Sequence, residues 1–392
     1  MLLHHHHHHL STNPMTSLKP EERGLHLIQL LLAGAAHVSS GNLSRADSCL
    51  HLISTMSSPS GDSMQRLSSI LASSLATRLL RRRLPGLLSA VLPPRKPLKP
   101  LTFARTLPYI PFTHTATSRA LLRAIAHERN VHVVDLSAAV HSLDLWAPFL
   151  HTISRLPHGP PHLKLTCVSG DHHVLESLGT ALVKEADSLD VPFRFHAVHS
   201  VLSELDLDTL HVHAGEALFV VSLFKLHELL AGEVERMNGL LLNLQGMGPS
   251  VVVLAEQEAE HNSERVAERF VEGLHHYSAL FDSVEAVAAM GTMGEEERRE
   301  VEDMVGREIE NVVACEGVER VERHEKTVKW IVRMERAGFR QGRFWGDAVE
   351  EGRRVVESWA GGGGFAVVVE CGCLMICWHD KPLYSISAWH CL

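Results

Sequence analysis

The stretch Val131-His132-Val133-Val134-Asp135-Leu136 decides the fold class. It is a short apolar run, rich in β-branched residues and closed by an acid. A helical run, Ser118–Arg129, precedes it, and another, Trp146–Arg155, follows a polar loop. Apolar residues on both faces between two helices are typical of a buried parallel strand. Asp135 would then lie at the edge where open α/β sheets bind ligands, or it would cap the following turn.

The alternation of strands and helices continues along the chain. Further strands are predicted at Leu163–Val168, Phe193–Val198, Ala217–Val221 and Val251–Ala255. Helical runs are predicted between most of them, at Val174–Leu189, Leu223–Leu230 and Asn262–Ser283. Such alternation predicts βαβ units and a parallel sheet with helices on both faces.

Three closely spaced strands are predicted at the end of the chain. They are Phe365–Glu370, Leu374–Trp378 and Tyr384–Trp389. Short connections of this kind join antiparallel strands. A mostly parallel sheet with an antiparallel end is similar to the Rossmann-like layout of methyltransferases, so we predict an α/β fold of that class.

Residues 20–83 are predicted to be mostly helical. Two helices fit residues 20–54, and a third, Met64–Arg83, begins after a cap at Asp62 or Ser63. The charged, amphipathic run Glu295–Cys315 has no strand beside it, so it is expected to pack against these helices. We therefore expect a helical cap over about 20–100 and 285–315, on an α/β core over about 101–284 and 316–392.

Composition limits the possible functions. The chain has 392 residues and a formal net charge of −9, which disfavours non-specific binding to phosphate backbones and suits a basic protein partner. Its apolar runs are too short to span a bilayer, and its start lacks the pattern of a signal peptide. Seven scattered cysteines indicate reduced thiols inside a cell. Residues 1–19 are expected to be disordered, and His4–His9 is either a purification tag or a natural low-complexity start.

Signals for enzyme chemistry are weak. The loop after Asp135 holds no glycine, although a nucleotide cofactor needs a close approach of the backbone there. Walker-A, HExxH and GxSxG patterns are missing. His261 lies near Glu256, Glu258 and Glu260, where a solvated loop is favoured over a metal site. We predict no catalytic residue, cofactor or metal, and attribute the cluster of Cys371, Cys373 and Cys377 to strand packing.

The order of motifs resembles that of the plant GRAS family, from about Glu21 to the C-terminus. Residues 25–56 and 64–83 resemble the first leucine-rich region, and Val131–Asp135 resembles the VHIID core. Glu216–Leu218 with Leu226-His227-Glu228-Leu229-Leu230 resembles the second leucine-rich region. The PFYRE elements are matched by Pro249 with Val251–Gln257, by Phe270 with His276–Asp282, and by Arg320–Glu325. Trp378 with Pro382–Trp389 resembles the SAW motif.

Within the family, the residues most resemble the scarecrow-like type-three branch. The resemblance implies a nuclear transcriptional regulator that acts through DELLA or other GRAS proteins and zinc-finger DNA-binding proteins, in gibberellin signalling and root development. The residues that carry the motifs are the candidate interaction residues. They are Val131, His132, Val133, Val134, Asp135, Leu226, Leu229, Leu230, Arg320, Arg323, His324, Glu325, Trp378, Ser387, Ala388 and Trp389. One departure is that Ser137, Val140 and His141 stand where the family has an acid, a glycine and a glutamine.

Each motif also has a structural interpretation. The LxxLL leucines fit a helix-in-groove contact or, more simply, a core-facing stripe. Arg320–Glu325 is expected to span about one helical turn. Its arginines are expected to form a structural ion-pair network with Glu319 or Glu322, or with core acids such as Asp135, rather than to serve in catalysis. Trp378 and Trp389 are interpreted as buried aromatics that close the sheet edge, with an interface anchor as the alternative.

Two functions from different classes remain open at this point. The preferred one is a partner-binding transcriptional co-regulator in the nucleus, and no enzyme. The other is a Rossmann-like small-molecule-binding protein or methyltransferase-like enzyme. Arg81-Arg82-Arg83 with Arg95, Lys96 and Lys99 fit a nuclear import signal or a solvated helix end and linker.

Overall fold

The computed structural model describes residues 19–84, 97–343, 346–359 and 363–391. Among these residues, nine strands form one mixed sheet in the order β3-β2-β1-β4-β5-β9-β8-β7, and β6 pairs with β9. The strands are β1 Asn130–Asp135, β2 His162–Ser169, β3 Phe193–His199, β4 Ala217–Leu223, β5 Val251–Gln257, β6 Phe339–Gln341, β7 Phe365–Glu370, β8 Cys373–Trp378 and β9 Lys381–Cys391. The first five are parallel and the last are antiparallel, so the predicted Rossmann-like fold is confirmed.

Twelve helices are described around this sheet. They are α1 Pro20–Ser40, α2 Leu43–Met56, α3 Ser63–Arg83, α4 Pro100–Thr106, α5 Tyr109–Ile125, α6 Leu143–Ile153, α7 His172–Ser188, α8 Val234–Gly246, α9 Val266–Ala289, α10 Glu295–Ala314, α11 Thr327–Arg336 and α12 Gly346–Ser358. Short 3-10 turns complete the connections, notably Leu226–Ala231 after β4.

The sheet is covered on both faces because its strands are apolar on both sides. In β1, Val131 and Val133 join the larger core, while Val134 joins the smaller one on the opposite face. The larger core includes Phe112 of α5 and Phe270 of α9. Strands apolar on both faces need this double cover.

The N-terminal helices pack together with α10. Helices α1, α2 and α3 pack on one another, α3 packs on α9 and α10, and α10 also contacts α4. Asp62 caps α3 by accepting from the backbone N–H of Gln65 at 2.9 Å, as expected. An ion pair also joins the layers, because the buried Arg66 of α3 donates to Glu302 of α10 at 2.8 Å.

Several sequence predictions were wrong in detail. The helix predicted at Ser118–Arg129 is the second half of α5, which begins at Tyr109 and ends at Ile125. The helix predicted at Leu223–Leu230 is absent, because β4 continues to Leu223 and a 3-10 turn follows. Phe224 between them has φ of 56°, which no helix allows. Helices α4, α8, α11 and α12 and strand β6 were not predicted.

Other predictions lie partly or wholly outside the description. Residues 1–18, with His4–His9, and the basic residues Arg95 and Lys96 are outside the described residues. No helix within the described ranges is both long and apolar enough to cross a bilayer.

Candidate functional site

The carboxyl end of β1 is where the sheet order reverses. β1 pairs with β2 on one side and with β4 on the other, so ligands of open α/β sheets bind beyond this point. Here Asp135 is buried and its carboxylate is already occupied. It accepts from the backbone N–H of Ser137 at 2.9 Å, from the Ser137 hydroxyl at 2.8 Å, and from Nε1 of Trp146 at 2.9 Å. Burial raises the pKa of Asp135, and these three hydrogen bonds oppose that shift.

The loop after Asp135 is closed by the protein itself. The hydroxyl of Ser137 accepts from the backbone N–H of Leu223 at 2.9 Å, which ties the loop to the end of β4. Ser142 accepts from the backbone N–H of Ala139 at 2.9 Å just before α6 begins. Asp135 therefore acts as a structural acceptor that fixes a glycine-free loop. The ion pair between Asp135 and Arg320 or Arg323, which was one interpretation of the sequence, is not formed.

His132 anchors a polar chain on the same strand. Its Nδ1 lies 3.0 Å from Glu216 and its Nε2 lies 2.8 Å from the hydroxyl of Thr166. His196 on β3 continues the chain, 3.2 Å from Thr166. Burial, reinforced by the charge of Lys164, lowers the pKa of His132 to about 4 although Glu216 opposes the shift. The imidazole is therefore neutral at neutral pH, donates to Glu216 and accepts from Thr166.

A second polar cluster lies beyond the ends of β4 and β5. His227, from the 3-10 turn after β4, places Nδ1 2.7 Å from Glu256 of β5 and Nε2 3.1 Å from Glu322. His324 places Nε2 3.3 Å from the same oxygen of Glu322, and its Nδ1 lies 3.0 Å from Nδ1 of His261. All three imidazoles are buried, so His261 does not lie in a solvated loop as predicted.

The carboxylates decide the charge of this cluster. Burial lowers the pKa of His227, but Glu256 and Glu322 together outweigh it and raise that pKa well above its ordinary value. Burial raises the pKa of Glu322, but the close contacts with His227 and His324 outweigh burial and hold that pKa well below the usual range. His261 shows the opposite balance, because burial and the neighbouring His324 hold its pKa well below normal. The cluster thus combines carboxylates with imidazoles that differ in basicity.

Residues 320–326 have no regular secondary structure, so the expected helical turn is wrong. Arg320 donates to the carbonyl of His261 at 2.8 Å, and Arg323 donates to Glu264 at 2.8 Å. Glu325 accepts two hydrogen bonds from Arg333 of α11, at 2.7 and 2.9 Å. Both arginines pair with Glu264, so they form ion pairs as predicted, but neither pairs with Glu319, Glu322 or Asp135.

The leucine-rich motif after β4 packs inward. Leu226 and Leu229 are buried in the smaller core, while Leu230 is half-buried against it. The core-facing interpretation of the leucines is therefore confirmed, although the backbone is a 3-10 turn rather than an α-helix.

The C-terminal motif lies inside the sheet. Strand β9 pairs with β5 on one side and with β8 and β6 on the other, so the predicted buried position of Trp389 is confirmed, within the sheet rather than at its edge. Trp389 is fully buried, and its Nε1 donates to Ser387 at 2.9 Å. Trp378 is also buried and donates to Asp282 of α9 at 2.8 Å. Ala388 faces the opposite core from Trp389, because successive side chains of a strand point to opposite faces of the sheet.

The predicted packing role of the three clustered cysteines is confirmed only in part. Cys373 and Cys377 are buried in β8, as expected for strand packing, whereas Cys371 lies exposed in the preceding turn.

The fold brings the second leucine-rich motif and the Arg320–Glu325 motif together at one end of β4 and β5. Sequence reasoning missed the pairing of His227 with Glu322, because these residues are 95 positions apart.

The chain is similar to known proteins in both sequence and structure. The model of the GRAS domain family matches residues 27–390. Scarecrow-like protein 3 from Arabidopsis thaliana is 34% identical over 446 aligned residues, which cover 96% of this chain and 91% of that protein. DELLA protein GAI1 from Vitis vinifera is 33% identical over 97% of this chain, but the chain spans only 64% of its length. The crystal structure of SCL7 in Oryza sativa matches with a TM-score of 0.79 at 25% identity, covering 93% of this chain and 99% of that one.

Proposed function

The chain belongs to the GRAS family, and from this premise we propose that it is a nuclear transcriptional co-regulator that acts through protein partners. The observation that carries the proposal is the family match over residues 27–390, together with similarity to a scarecrow-like protein over 91% of that protein's length. The partners are DELLA or other GRAS proteins and zinc-finger DNA-binding proteins. The processes are gibberellin signalling and root development, as the family resemblance implies.

Charge supports recruitment to DNA by a partner. The net charge of −9 opposes direct contact with phosphates, whereas a basic zinc-finger protein is electrostatically complementary. The described basic residues at the end of α3 are also partly engaged. Arg78 pairs with Glu316 at 2.5 Å, and Arg81 pairs with Glu319 at 3.0 Å.

The motif residues are proposed to act by shaping the fold. Leu226, Arg320 and Trp389 are buried, so a partner cannot contact them without unfolding part of the chain. Substitutions there would abolish partner binding together with the fold. The direct contact surface would then lie on exposed residues outside these motifs.

A second candidate function has one observation in its favour. The strand order β3-β2-β1-β4-β5 places an acid at the switch point, where Rossmann-like proteins bind ligands. Against it, the carboxylate of Asp135 is already occupied by Ser137 and Trp146. Thermal denaturation with S-adenosylmethionine or gibberellins separates the two functions. A ligand at 100 times its Kd adds about 2.7 kcal/mol of stability, and a clear shift would favour the second function.

Partner capture tests the preferred function directly. The purified chain is incubated with plant nuclear extract, and the captured proteins are identified. We expect GRAS proteins and zinc-finger proteins to be enriched, and the Trp389→Ala chain, as a misfolded control, to lose them. Reconstitution of each captured protein with the purified chain must then reproduce the complex; failure of every reconstitution would contradict the proposal.

A further inference from the structure

Three potential metal ligands converge in the cluster beyond β4 and β5. They are Nε2 of His227, a carboxylate oxygen of Glu322 and Nε2 of His324. These atoms all lie within 4.8 Å of one another, and within the described ranges no other group of three His, Cys, Asp or Glu residues meets this condition. The three residues come from two segments. His227 lies in the 3-10 turn after β4, and Glu322 and His324 lie in the irregular stretch before α11.

The spacing of the ligand atoms fits one small cation. Zn²⁺ binds imidazole nitrogen at about 2.0–2.1 Å and carboxylate oxygen at about 2.0–2.2 Å. In a tetrahedral shell, neighbouring ligand atoms are then about 3.3 Å apart. The oxygen of Glu322 lies 3.1 Å from Nε2 of His227 and 3.3 Å from Nε2 of His324. Two edges of a tetrahedron are therefore already formed.

Outer groups orient both imidazoles. Glu256 lies 2.7 Å from Nδ1 of His227, so it accepts that N–H and leaves Nε2 facing Glu322, where a bound cation would take the place of the Nε2 proton. Nδ1 of His261 lies 3.0 Å from Nδ1 of His324, and when His324 donates this hydrogen bond its Nε2 carries a lone pair toward Glu322. Hydrogen-bonded imidazoles of this kind are typical of zinc sites, where the outer partner fixes the tautomer.

An unsatisfied atom points independently to a ligand. Nε2 of His324 is buried and lies 3.3 Å from the oxygen of Glu322, but this contact does not have the geometry of a hydrogen bond. The side chain of His324 is 0% exposed, so solvent does not satisfy this nitrogen. A buried polar atom without a partner costs about 1–3 kcal/mol, and a bound cation would remove this cost.

We propose that His227, Glu322 and His324 bind one Zn²⁺ ion, with a water molecule or a second oxygen of Glu322 as the fourth ligand. The ion would enter on the side of Glu322, whose side chain is 25% exposed while both imidazoles are buried. Its role is structural, because it joins the leucine-rich turn to the Arg320–Glu325 segment, two parts of the chain that regular secondary structure does not connect. Zinc would thus stabilise the folded state that the partners recognise.

Metal content measures the site. The full chain is prepared with His4–His9 replaced by serine, because the histidine run itself binds transition metals. After incubation with Zn²⁺ and gel filtration, we expect about one zinc per chain by mass spectrometry. Replacement by Co²⁺ should give the intense visible absorption of a four-coordinate site, and Zn²⁺ should raise the melting temperature of this parent chain.

Matched variants locate the ion. Glu322→Gln and His324→Gln should lose bound zinc and the Zn²⁺-dependent rise in melting temperature. Glu256→Gln should keep the stoichiometry but weaken affinity by about 10–100-fold, as is usual for outer partners. His151→Gln is the control, because His151 forms a comparable contact of 2.6 Å with Glu185 on the surface, away from the cluster. It should bind zinc like the parent.

Two results would overturn the proposal. One is a parent chain that holds no zinc and melts at the same temperature with and without saturating Zn²⁺. The other is a folded His324→Gln chain, checked by circular dichroism, that binds zinc as the parent does. If the variants fail to fold, the parent's zinc content, its melting temperature and the cobalt spectrum still decide the question.

Discussion

Replacing Trp389 by alanine tests whether the C-terminal motif acts through the fold. Trp389 is 0% exposed, lies between Val252 of β5 and Gln341 of β6, and packs in the smaller core. Removing a fully buried tryptophan costs about 3–5 kcal/mol, because transfer energy is lost and a cavity remains. The variant also loses the hydrogen bond from Nε1 to Ser387. The total cost of about 3–5 kcal/mol is a large share of a typical free energy of unfolding.

Urea denaturation measures the effect. With an m-value of about 3 kcal/mol/M, a loss of this size lowers the midpoint by about 1 M or more. Trp359→Ala is the matched control, because its indole donates to Thr106 at 3.0 Å but the residue is only half-buried. It should lose clearly less stability. An unchanged midpoint for Trp389→Ala, with partner binding abolished, would refute this reasoning and make Trp389 an interface anchor.

Three further outcomes are expected from other parts of the molecule. Arg66→Met should cost about 1–3 kcal/mol, because the variant loses the ion pair with Glu285 and leaves the buried Glu302 paired only with Arg298, at 3.2 Å. Arg299→Met removes an exposed pair with Glu295 within helix α10 and should cost at most about 1 kcal/mol in the same denaturation assay; a larger loss for Arg299→Met than for Arg66→Met would contradict this. Burial lowers the pKa of His132 to about 4 in the folded chain, below its unfolded value of about 6.5, so its contribution to the free energy of unfolding is complete above about pH 6.5. That contribution is lost by about 1.4 kcal/mol per pH unit as the pH falls from about 6.5 through the folded pKa. His132→Gln should reduce this decline in stability, and an identical pH profile for the variant would count against the reasoning. Deletion of residues 1–19 should leave the melting temperature unchanged, whereas deletion through residue 60 should cause aggregation, since it exposes the apolar face of α3; a soluble, cooperatively folding 61–392 fragment would disprove the role of the cap.

The sheet could be predicted because its strands carry a strong local signal. Val131–Asp135 and Val251–Gln257 are apolar on both faces, and β9 alternates between two cores, so short windows of sequence contain the information. Helix α5 was recognised only in its second half. Pro111 in its first turn reads as a break, although proline is tolerated there.

The polar cluster could not be predicted from the sequence. His227 and Glu322 are 95 residues apart, and their approach depends on the end of β5 and on an irregular backbone over 320–326. No periodic pattern encodes such a contact. The LxxLL spacing of Leu226–Leu230 predicts a helix locally, but β4 extends to Leu223 and leaves room only for a 3-10 turn. Tertiary structure therefore overrides helix propensity at this motif.

DNA binding with and without a partner tests the central claim most directly. A gel shift at physiological salt compares the isolated chain with its complex with a zinc-finger protein captured from nuclear extract. We predict that the isolated chain shifts no DNA fragment specifically, and that adding it retards the zinc-finger–DNA complex further. A shift by the isolated chain that only one DNA sequence competes away would contradict the claim that this protein reaches DNA through a partner.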